Sequence, residues 1–237
     1  MKQLFAILLI LSLALTACIN LGPSAGKNEI SVTGDAEKQV QPDQAELYLG
    51  VQTNDSSAQL AQDRNSLISN AVIDALKGAG ISSDNIETMN YNLYPMQVYN
   101  PKTGESLQQG YQVTNTIKVT TNDFEKVGTL LSAAVNAGAN EVQSVQFTLT
   151  KSKENEIKAQ VLSEATSAAK SKAEAIAQGL GASLGSIKTV QESNVYFTPY
   201  IYGRAIGVAE AKTGSVPPIN PQKSTVTASI TVVYEIR

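Results

Sequence analysis

Polar and apolar residues alternate in some stretches of the chain, while in others apolar residues recur at helical spacing. Alternation and β-prone composition predict strands at residues 29–34, 45–52, 86–99, 111–121, 141–150, 186–197 and 224–236. Helical spacing predicts three helices at about residues 57–77, 124–137 and 153–179. Strands in adjacent pairs with helices between them predict an α+β fold, in which three helices pack on one side of largely antiparallel sheets.

The order of these elements repeats once. Residues 45–121 and 141–236 each give strand–helix–strand–strand, which indicates two similar halves in topology, although no residue pattern repeats. In the first helix, the apolar residues that we expect to face the core are Leu60, Leu67, Ile68, Ala71, Val72, Ala75 and Leu76. The longest helix has a narrow expected inner face of mostly small residues, Ile157, Val161, Ala165, Ala168, Ala169, Lys172, Ala175 and Ile176.

The first residues have the pattern of an export signal. Lys2 precedes an almost wholly apolar run at residues 4–15, which small residues follow. This run is shorter than the roughly 20 residues of a transmembrane helix, so residues 1–17 are predicted to be a cleavable signal peptide. Residues 18–28 contain Gly, Pro, Ser and Asn without periodicity and are interpreted as a tether. Residues 29–237 then form the folded domain.

Leu15-Thr16-Ala17-Cys18 resembles the lipobox of prokaryotic lipoproteins. In those proteins the signal is cut before the cysteine, whose thiol carries diacylglycerol. The alternative is a plain secretory signal with an incidental cysteine. The resemblance implies that a lipid on Cys18 attaches the chain to a membrane, facing the periplasm or the cell exterior, and two acyl chains are enough for stable anchoring.

Composition excludes several kinds of chemistry. The chain has no histidine and a net charge of −3, and Cys18 is its only cysteine. Lack of histidine removes the usual base of serine and cysteine hydrolases and the commonest metal ligand. A mildly acidic chain without a basic tract is also a poor nucleic-acid binder. We therefore predict that the protein is not an enzyme and has no cofactor, no metal site and no nucleic-acid partner.

Two short motifs have both a functional and a structural interpretation. Gly179-Leu180-Gly181 with Gly185 suggests a phosphate loop, but it follows a helix and lacks the GxGxxG spacing, so a helix C-cap and turn is favoured. Asn54-Asp55-Ser56 is a glycosylation sequon, and the role of a helix cap explains it equally well.

Four acidic residues lie close together in sequence: Asp35, Glu37, Asp43 and Glu46. They lack the spacing of a calcium loop, so solvated surface is the favoured interpretation over a weak cation site. Asp43 follows Pro42 and is expected to make hydrogen bonds within that turn.

Two groups of aromatic residues are candidate binding surfaces. On the predicted strands, Tyr91, Tyr94, Tyr99 and Tyr111 either form a ligand surface or pack across strands, and packing is the commoner role. Residues 198–222, rich in proline and glycine, are predicted to be a long excursion. The apolar residues at and within this excursion either contact an oligomer partner or fold over the domain: Phe197, Tyr200, Ile201, Tyr202 and Ile206.

Three segments resemble the SIMPL-domain family of exported proteins of unknown function. Residues 30–51 match its opening pattern, Ile-x-Val-x-Gly followed by Pro-Asp-x-Ala and an alternating strand. Residues 172–193 match its Lys-Ala helix, which ends at Leu-Gly before a second Leu-Gly leads into a strand. Residues 216–236 resemble its closing proline-bearing loop and last strand, although Gln222 stands where many members have glycine.

This resemblance spans residues 29–236 and implies an exported, periplasmic or surface α+β protein. Among family members some are linked to oxidative-stress tolerance, some are antigens and some form ring-like homo-oligomers, and the family provides no catalytic residues. The favoured hypothesis is a non-catalytic, lipid-anchored envelope protein that self-assembles or binds another envelope component. The alternative is a small-ligand binder, for a lipid or an oxidised species, that uses the tyrosine-rich sheet.

Overall fold

A computed structural model describes residues 28–102, 104–193, 195–202, 206–207 and 221–237. The helices are α1 (Ala58–Gly78), α2 (Lys126–Asn136) and α3 (Lys151–Gly179), with a 3-10 turn at Ser83–Asn85. The strands are β1 (Glu29–Val40), β2 (Gln44–Asp55), β3 (Ile86–Asn100), β4 (Glu105–Thr121), β5 (Glu141–Thr148), β6 (Leu184–Glu192), β7 (Tyr196–Thr198), β8 (Tyr200–Tyr202), β9 (Ile206–Gly207) and β10 (Ser224–Ile236). The predicted α+β class is confirmed. The predicted signal peptide and all of the predicted tether except Asn28 lie outside the described residues.

The strands form two sheets. One has the order β3-β4-β2-β5-β8, with β9 also paired to β5, and the other has the order β1-β10-β6, with β7 also paired to β10. The described pairs β2–β4, β2–β5, β3–β4 and β10–β6 are antiparallel, as predicted. Strands of the first predicted half, β2, β3 and β4, share one sheet. Those of the second half are divided, because β5 is in the six-stranded sheet whereas β6 and β10 are in the other.

The chain divides into two compact units. Among the described residues, the first comprises 28–35, 165–193 and 229–237. The second comprises those that the structure describes within 36–164 and 194–228. The single domain at residues 29–237 remains a prediction.

The core of the second unit lies between helices α1 and α2 and one face of the six-stranded sheet. Alternate residues of β2 and β4 reach it, with further residues from both helices and β5: Ala45, Leu47, Leu49, Val51, Val72, Leu76, Ile117, Val119, Val127, Leu130, Val145 and Phe147. The rings of Phe124 and Phe147 meet edge to face in this core, with centroids 5.3 Å apart. Such burial of apolar area is the main favourable term in folding.

The buried face of α1 differs from the predicted one. Leu60 and Leu67 are exposed by 54% and 74%, whereas Asn65 and Ser69 are buried. Nδ2 of Asn65 donates to the carbonyl oxygen of Val51 at 2.7 Å, and Oγ of Ser69 donates to Oδ1 of Asn65 at 3.2 Å. These hydrogen bonds offset the cost of burying polar groups, so the helix turns a partly polar stripe towards the sheet.

The buried stripe of α3 follows every fourth residue: Ile157, Val161, Ala165, Ala169, Ala173 and Ala177. The predicted members Lys172, Ala175 and Ile176 are exposed instead. Because alanine has only a methyl group, the backbone of this helix can approach a strand closely.

Gly34 in β1 makes that approach possible. A Cβ on Gly34 would overlap the carbonyl oxygen of Ala165 and the amide nitrogen of Ala169, and would lie 2.7 Å from Cβ of Ala169. Beside this contact, Nζ of Lys172 donates to the carbonyl oxygen of Thr33 at 2.6 Å and lies 3.7 Å from Asp35. The glycine of Ile-x-Val-x-Gly and the lysine of the Lys-Ala helix are therefore two parts of one strand–helix contact.

Asp43 acts at long range, and its predicted role in the local turn is wrong. Oδ1 of Asp43 accepts from the backbone amide of Thr150 at 2.7 Å, and its Oδ2 accepts from Oγ1 of Thr150 at 3.0 Å. Oγ1 of Thr150 in turn accepts from the amide of Lys153 at 3.4 Å, in the first turn of α3. The loop before β2 thus supports the start of α3, where a carboxylate is favoured by the helix dipole.

Local signals define the ends of the helices. Ser57 is the N-cap of α1, since its Oγ accepts from the amide of Leu60 at 3.2 Å, and the predicted cap at Asn54-Asp55-Ser56 lies too early. Just after α3, Gly181 has a φ of 69°, and the amide of Ala182 donates to the carbonyl oxygen of Ala177 at 2.9 Å. This left-handed C-cap confirms the structural interpretation of the Gly-Leu-Gly motif.

The predicted excursion contains strands. Residues of β7 pair with β10, with Phe197 opposite Val226, while β8 and β9 pair with β5. Proline and glycine content indicated a loop, but segments of two or three residues are too short for a periodic pattern to reveal. Residues 203–205 and 208–220 of this segment lie outside the described part of the chain.

Candidate assembly surface

The longest hairpin extends past its neighbours. Strand β2 pairs with β4 only from Ala45 opposite Thr121 to Asp55 opposite Tyr111. On the Glu105 side of Tyr111, β4 pairs with β3 and with no other strand in the described part of the chain, and this pairing ends with Asn100 opposite Glu105. We name residues 89–111 the β3–β4 arm.

Local sequence explains why the arm is a hairpin. The two strands are joined by a short turn between Asn100 and Glu105, in which the amide of Gly104 donates to the carbonyl oxygen of Asn100 at 2.9 Å. Oδ1 of Asn100 accepts from the amide of Lys102 at 3.0 Å, which is the usual asparagine contribution to a turn.

The arm exposes an unusual amount of apolar side chain. Seven of its large apolar residues are exposed by between 39% and 63%: Met89, Tyr91, Leu93, Tyr94, Val98, Tyr99 and Leu107. The other two, Met96 and Tyr111, are half-buried. Val98 lies directly opposite Leu107 in the ladder, so the two form an uncovered apolar pair. Single exposed apolar residues are common on proteins, but seven on one hairpin, divided over its two faces, mark a candidate interaction surface.

The four candidate tyrosines do not form one surface. Tyr91 and Tyr94 are three residues apart in a regular part of β3, so their side chains point to opposite faces. Tyr99 is opposite Ser106 near the turn, and Tyr111 is opposite Pro95. None of the four is directly opposite another tyrosine. Ligand binding by a subset of them remains a prediction.

The outer edge of the arm is poorly suited to adding another strand. Pro95 has no amide hydrogen, and the register of β3 shifts between Thr88 and Asn90 and again between Pro95 and Gln97. Proline and bulges on edge strands hinder pairing with a further strand. The faces of the arm are therefore better suited to contact than its backbone edge.

The second candidate surface is divided among three short strands. Phe197 is partly buried in β7, and Ile201 is exposed by 53% in β8. Tyr200 and Tyr202 lie in β8 opposite Phe147 and Val145 of β5, and Ile206 lies in β9 opposite Val142. The segment thus covers the edge of the six-stranded sheet, and a partner contact through Ile201 remains a prediction.

The polar face of the six-stranded sheet holds a row of paired groups. Tyr48 lies opposite Lys118, and Lys118 lies opposite Glu87. The hydroxyl of Tyr48 donates to Oε2 of Glu46 at 2.9 Å, and Nζ of Lys118 is 3.0 Å from Glu87. Burial, together with the hydrogen bond to Glu46, raises the pKa of Tyr48 to about 12.

We expect the raised pKa of Tyr48 to make the fold sensitive to alkali. A tyrosine in an unfolded chain loses its proton near pH 10, whereas folded Tyr48 keeps it up to about pH 12. The unfolded chain then binds fewer protons, so the free energy of unfolding falls as the pH rises from about 10 to about 12. Unfolding curves across this range should show a smaller fall in Tyr48→Phe. Tyr99→Phe, at an exposed site, is the matched control, and equal slopes in all three chains would contradict the prediction.

The four acidic residues near the start do not converge on a site. Asp35 lies near Lys172, Asp43 binds Thr150 and Glu46 binds Tyr48, while Glu37 is exposed. Within the described ranges, no group of three or more acidic or cysteine side chains could hold a metal ion. Within these ranges, none of the helices combines the length and the apolar character needed to cross a membrane. Cys18 lies outside the described residues.

Comparison with known proteins gives a consistent result. A family model described as SIMPL, a protein of unknown function (DUF541), matches residues 30–234. Uncharacterized protein YggE of Edwardsiella ictaluri is 30% identical over 197 residues, which cover 79% of this chain and 81% of that protein. The 26 kDa periplasmic immunogenic protein of Brucella melitensis is 28% identical over 215 residues, covering 88% and 84%. YggE of Escherichia coli K12 is 29% identical over 142 residues, 57% of each chain.

Proposed function

Because the chain belongs to the SIMPL family, we propose that it is a non-catalytic envelope protein, held at a membrane by a lipid on Cys18, which assembles with further copies of itself through the β3–β4 arm. A periplasmic location is supported by the name of the Brucella relative. The lipobox-like Leu15-Thr16-Ala17-Cys18 supports the anchor. The observation that carries assembly is the uncovered apolar surface of the arm.

Charge favours a second copy of the chain as the partner. Between residues 88 and 112 the only charged side chains are Lys102 and Glu105, one of each sign, close to the turn. Identical neutral surfaces do not repel one another, whereas like charges across an interface would. Tyrosines with exposed rings and hydroxyls suit such a contact, since they bury large area with little loss of conformational entropy.

A non-catalytic role is supported by the way the polar groups are used. The chain has no histidine. Asp43 and Glu46 each bind one neighbouring side chain, and Lys118 pairs with Glu87. Two carboxylates facing each other with separated pKa values, or a nucleophile beside a base, would be the sign of a catalytic site. The small-ligand alternative lacks a comparable observation, because the tyrosines lie on different faces.

The test removes the apolar pair on the arm. Val98→Ser with Leu107→Ser is expected to weaken self-association at least about tenfold, since burying each side chain is worth of order 1 kcal/mol. Light scattering and chemical crosslinking of the detergent-purified chain measure the effect over a range of concentrations. Leu67→Ser is the matched control, because Leu67 is exposed by 74% on α1. A strict monomer at every concentration, or unchanged association in the double variant, would contradict assembly through the arm.

A further inference from the structure

Four chain segments meet at one end of the first unit. The amide of Ile236 donates to the carbonyl of Asn28 at 2.8 Å, which places the start of β1 beside the end of β10. Backbone hydrogen bonds of 2.7 and 3.0 Å join Ser183 and Arg237, which brings in the start of β6. Helix α3 ends at Gly179, four residues before Ser183, and its left-handed cap residue is Gly181.

This end is also where the described chain begins. The predicted tether ends at Asn28, whose carbonyl oxygen accepts from Ile236, so the tether joins the fold here. From Cys18 to Asn28 there are 28 − 18 = 10 peptide steps, which span about 35 Å at full extension. An anchored chain therefore keeps this end of the first unit within a short distance of the lipid surface.

Exposed aliphatic side chains are gathered at the same end. Leu180, just after α3, is exposed by 68%. Ile176 lies one helical turn before Leu180 and is also exposed. It is on the same side of α3 as Lys172, which binds the carbonyl oxygen of Thr33. Gly34 of β1 packs against Ala165 and Ala169, and the preceding residue, Thr33, binds Lys172 further along α3. The helix therefore runs antiparallel to β1, and its last residues lie towards the start of that strand.

Ile187 adds a third exposed side chain near this end. It lies three residues into β6 from Leu184, directly opposite Tyr234 in the ladder. Tyr234 is buried, yet Ile187 is exposed by 59%, because it lies on the outer strand of this sheet. Leu180, Ile176 and Ile187 are exposed by 68%, 44% and 59%.

We propose that Leu180, supported by Ile176 and Ile187, contacts the lipid surface to which the chain is anchored. This inference rests on the proposed lipid anchor. A short tether keeps the folded part of the chain close to the lipid surface, at a high effective concentration. A few aliphatic side chains are then enough to hold one orientation. Leucine and isoleucine suit the boundary between headgroups and acyl chains, where burial of apolar area is favourable.

The test measures depth in the bilayer at two single sites. Leu180→Cys and Gln191→Cys are made in the full chain, which is purified from membranes and reconstituted in vesicles of phosphatidylethanolamine and phosphatidylglycerol. A lipidated Cys18 has no free thiol, so a polarity-sensitive fluorophore labels only the new cysteine. Gln191 is the matched control, because it is exposed on β6 near the strand's far end.

The expected result is a difference between the two labels. At position 180 the emission shifts to the blue, nitroxides on the lipid chains quench it, and aqueous iodide does not. At position 191 iodide quenches and the nitroxides do not. A membrane-bound chain whose two labels respond alike to both quenchers overturns the contact but leaves the anchor intact. A chain that does not pellet with membranes and labels at Cys18 overturns both the anchor and the contact.

Discussion

Gly34→Ala is expected to lower the free energy of unfolding by about 3 kcal/mol or more, at the upper end of what overpacking usually costs. A methyl group at this position would overlap two backbone atoms of α3, at Ala165 and Ala169, and a backbone cannot move aside as a side chain can. Either β1 or α3 must shift, and the buried alanine stripe of the helix would lose close contacts with it. Chemical denaturation in a common Cys18→Ser background measures the loss.

Gly179→Ala is the matched control for this substitution. It introduces the same methyl group into α3, at a position where no atom lies within 4 Å of the new Cβ. Alanine is the better helix former, so this variant is expected to be equal to the parent or more stable by about 0.5–1 kcal/mol. If both variants have the stability of the parent, the close approach of β1 to α3 is wrong.

Asp43→Ala is expected to destabilise the chain by about 2–3 kcal/mol, the usual range for losing hydrogen bonds to a charged group. Its carboxylate binds both the amide and the hydroxyl of Thr150 across 107 residues of sequence. Removal leaves the N-terminus of α3 without this acceptor and without a favourable negative charge. Asp43→Asn keeps the shape and one acceptor oxygen, so it should lose about half as much.

A double-mutant cycle shows whether this cost comes from the proposed contact. Thr150→Val removes the hydroxyl that donates to Oδ2 of Asp43. The losses from Asp43→Ala and Thr150→Val should therefore add to more than the loss in the double variant, with a coupling of about 1 kcal/mol. Strict additivity, or a loss below about 0.5 kcal/mol for Asp43→Ala, would contradict a role in holding α3.

Much of the fold follows from periodicity. All three helices lie within two residues of their predicted ends, because each has a recognisable start or a glycine stop. The long strands β2, β4 and β10 were predictable, since one face of each is buried and alternation is then strong. Fold class and antiparallel pairing follow from the order of these elements.

What periodicity could not predict depends on contacts distant in sequence. Leu60 and Leu67 suggested the wrong face for α1, because the pattern of apolar residues gives no sign that Asn65 would bind a carbonyl of β2. Asp43 looked like a turn residue, since its partner Thr150 is far along the chain. The strands β7 to β9 are too short for a period, and only pairing with β5 and β10 orders them.

The candidate surfaces were predictable in part. The tyrosines of the hairpin stand out in the sequence as one group, whereas the register places Tyr91 and Tyr94 on opposite faces. Val98 and Leu107 do not stand out in the sequence, because they become neighbours only through the pairing of β3 with β4. Leu180 was considered only within a glycine motif, and its position near the point where the chain enters the fold requires the three-dimensional structure.

The family motifs now have physical explanations. Gly34 leaves room for α3 to pack closely on β1, Asp43 binds Thr150 at the start of α3, and Lys172 of α3 binds a carbonyl oxygen of β1. Gly185, in the second Leu-Gly, is also restricted, though less tightly than Gly34, because a Cβ there would lie 2.9 Å from the carbonyl oxygen of Glu235. Most of these motif residues, although far apart in sequence, hold the same long helix in place. Such structural roles explain why family members share a fold, and they do not require a shared reaction.

The strand edges of this fold limit how copies of the chain can associate. Pro95 and two register shifts interrupt β3, Lys172 occupies a carbonyl of β1, and β8 and β9 cover β5 with very short strands. Open strand edges can add strands from other copies without limit, so edges that are interrupted or covered favour contact through side chains instead. In the proposed membrane-anchored assembly, the chain can therefore be present at high density while the shape of its side-chain contacts sets the size of the assembly.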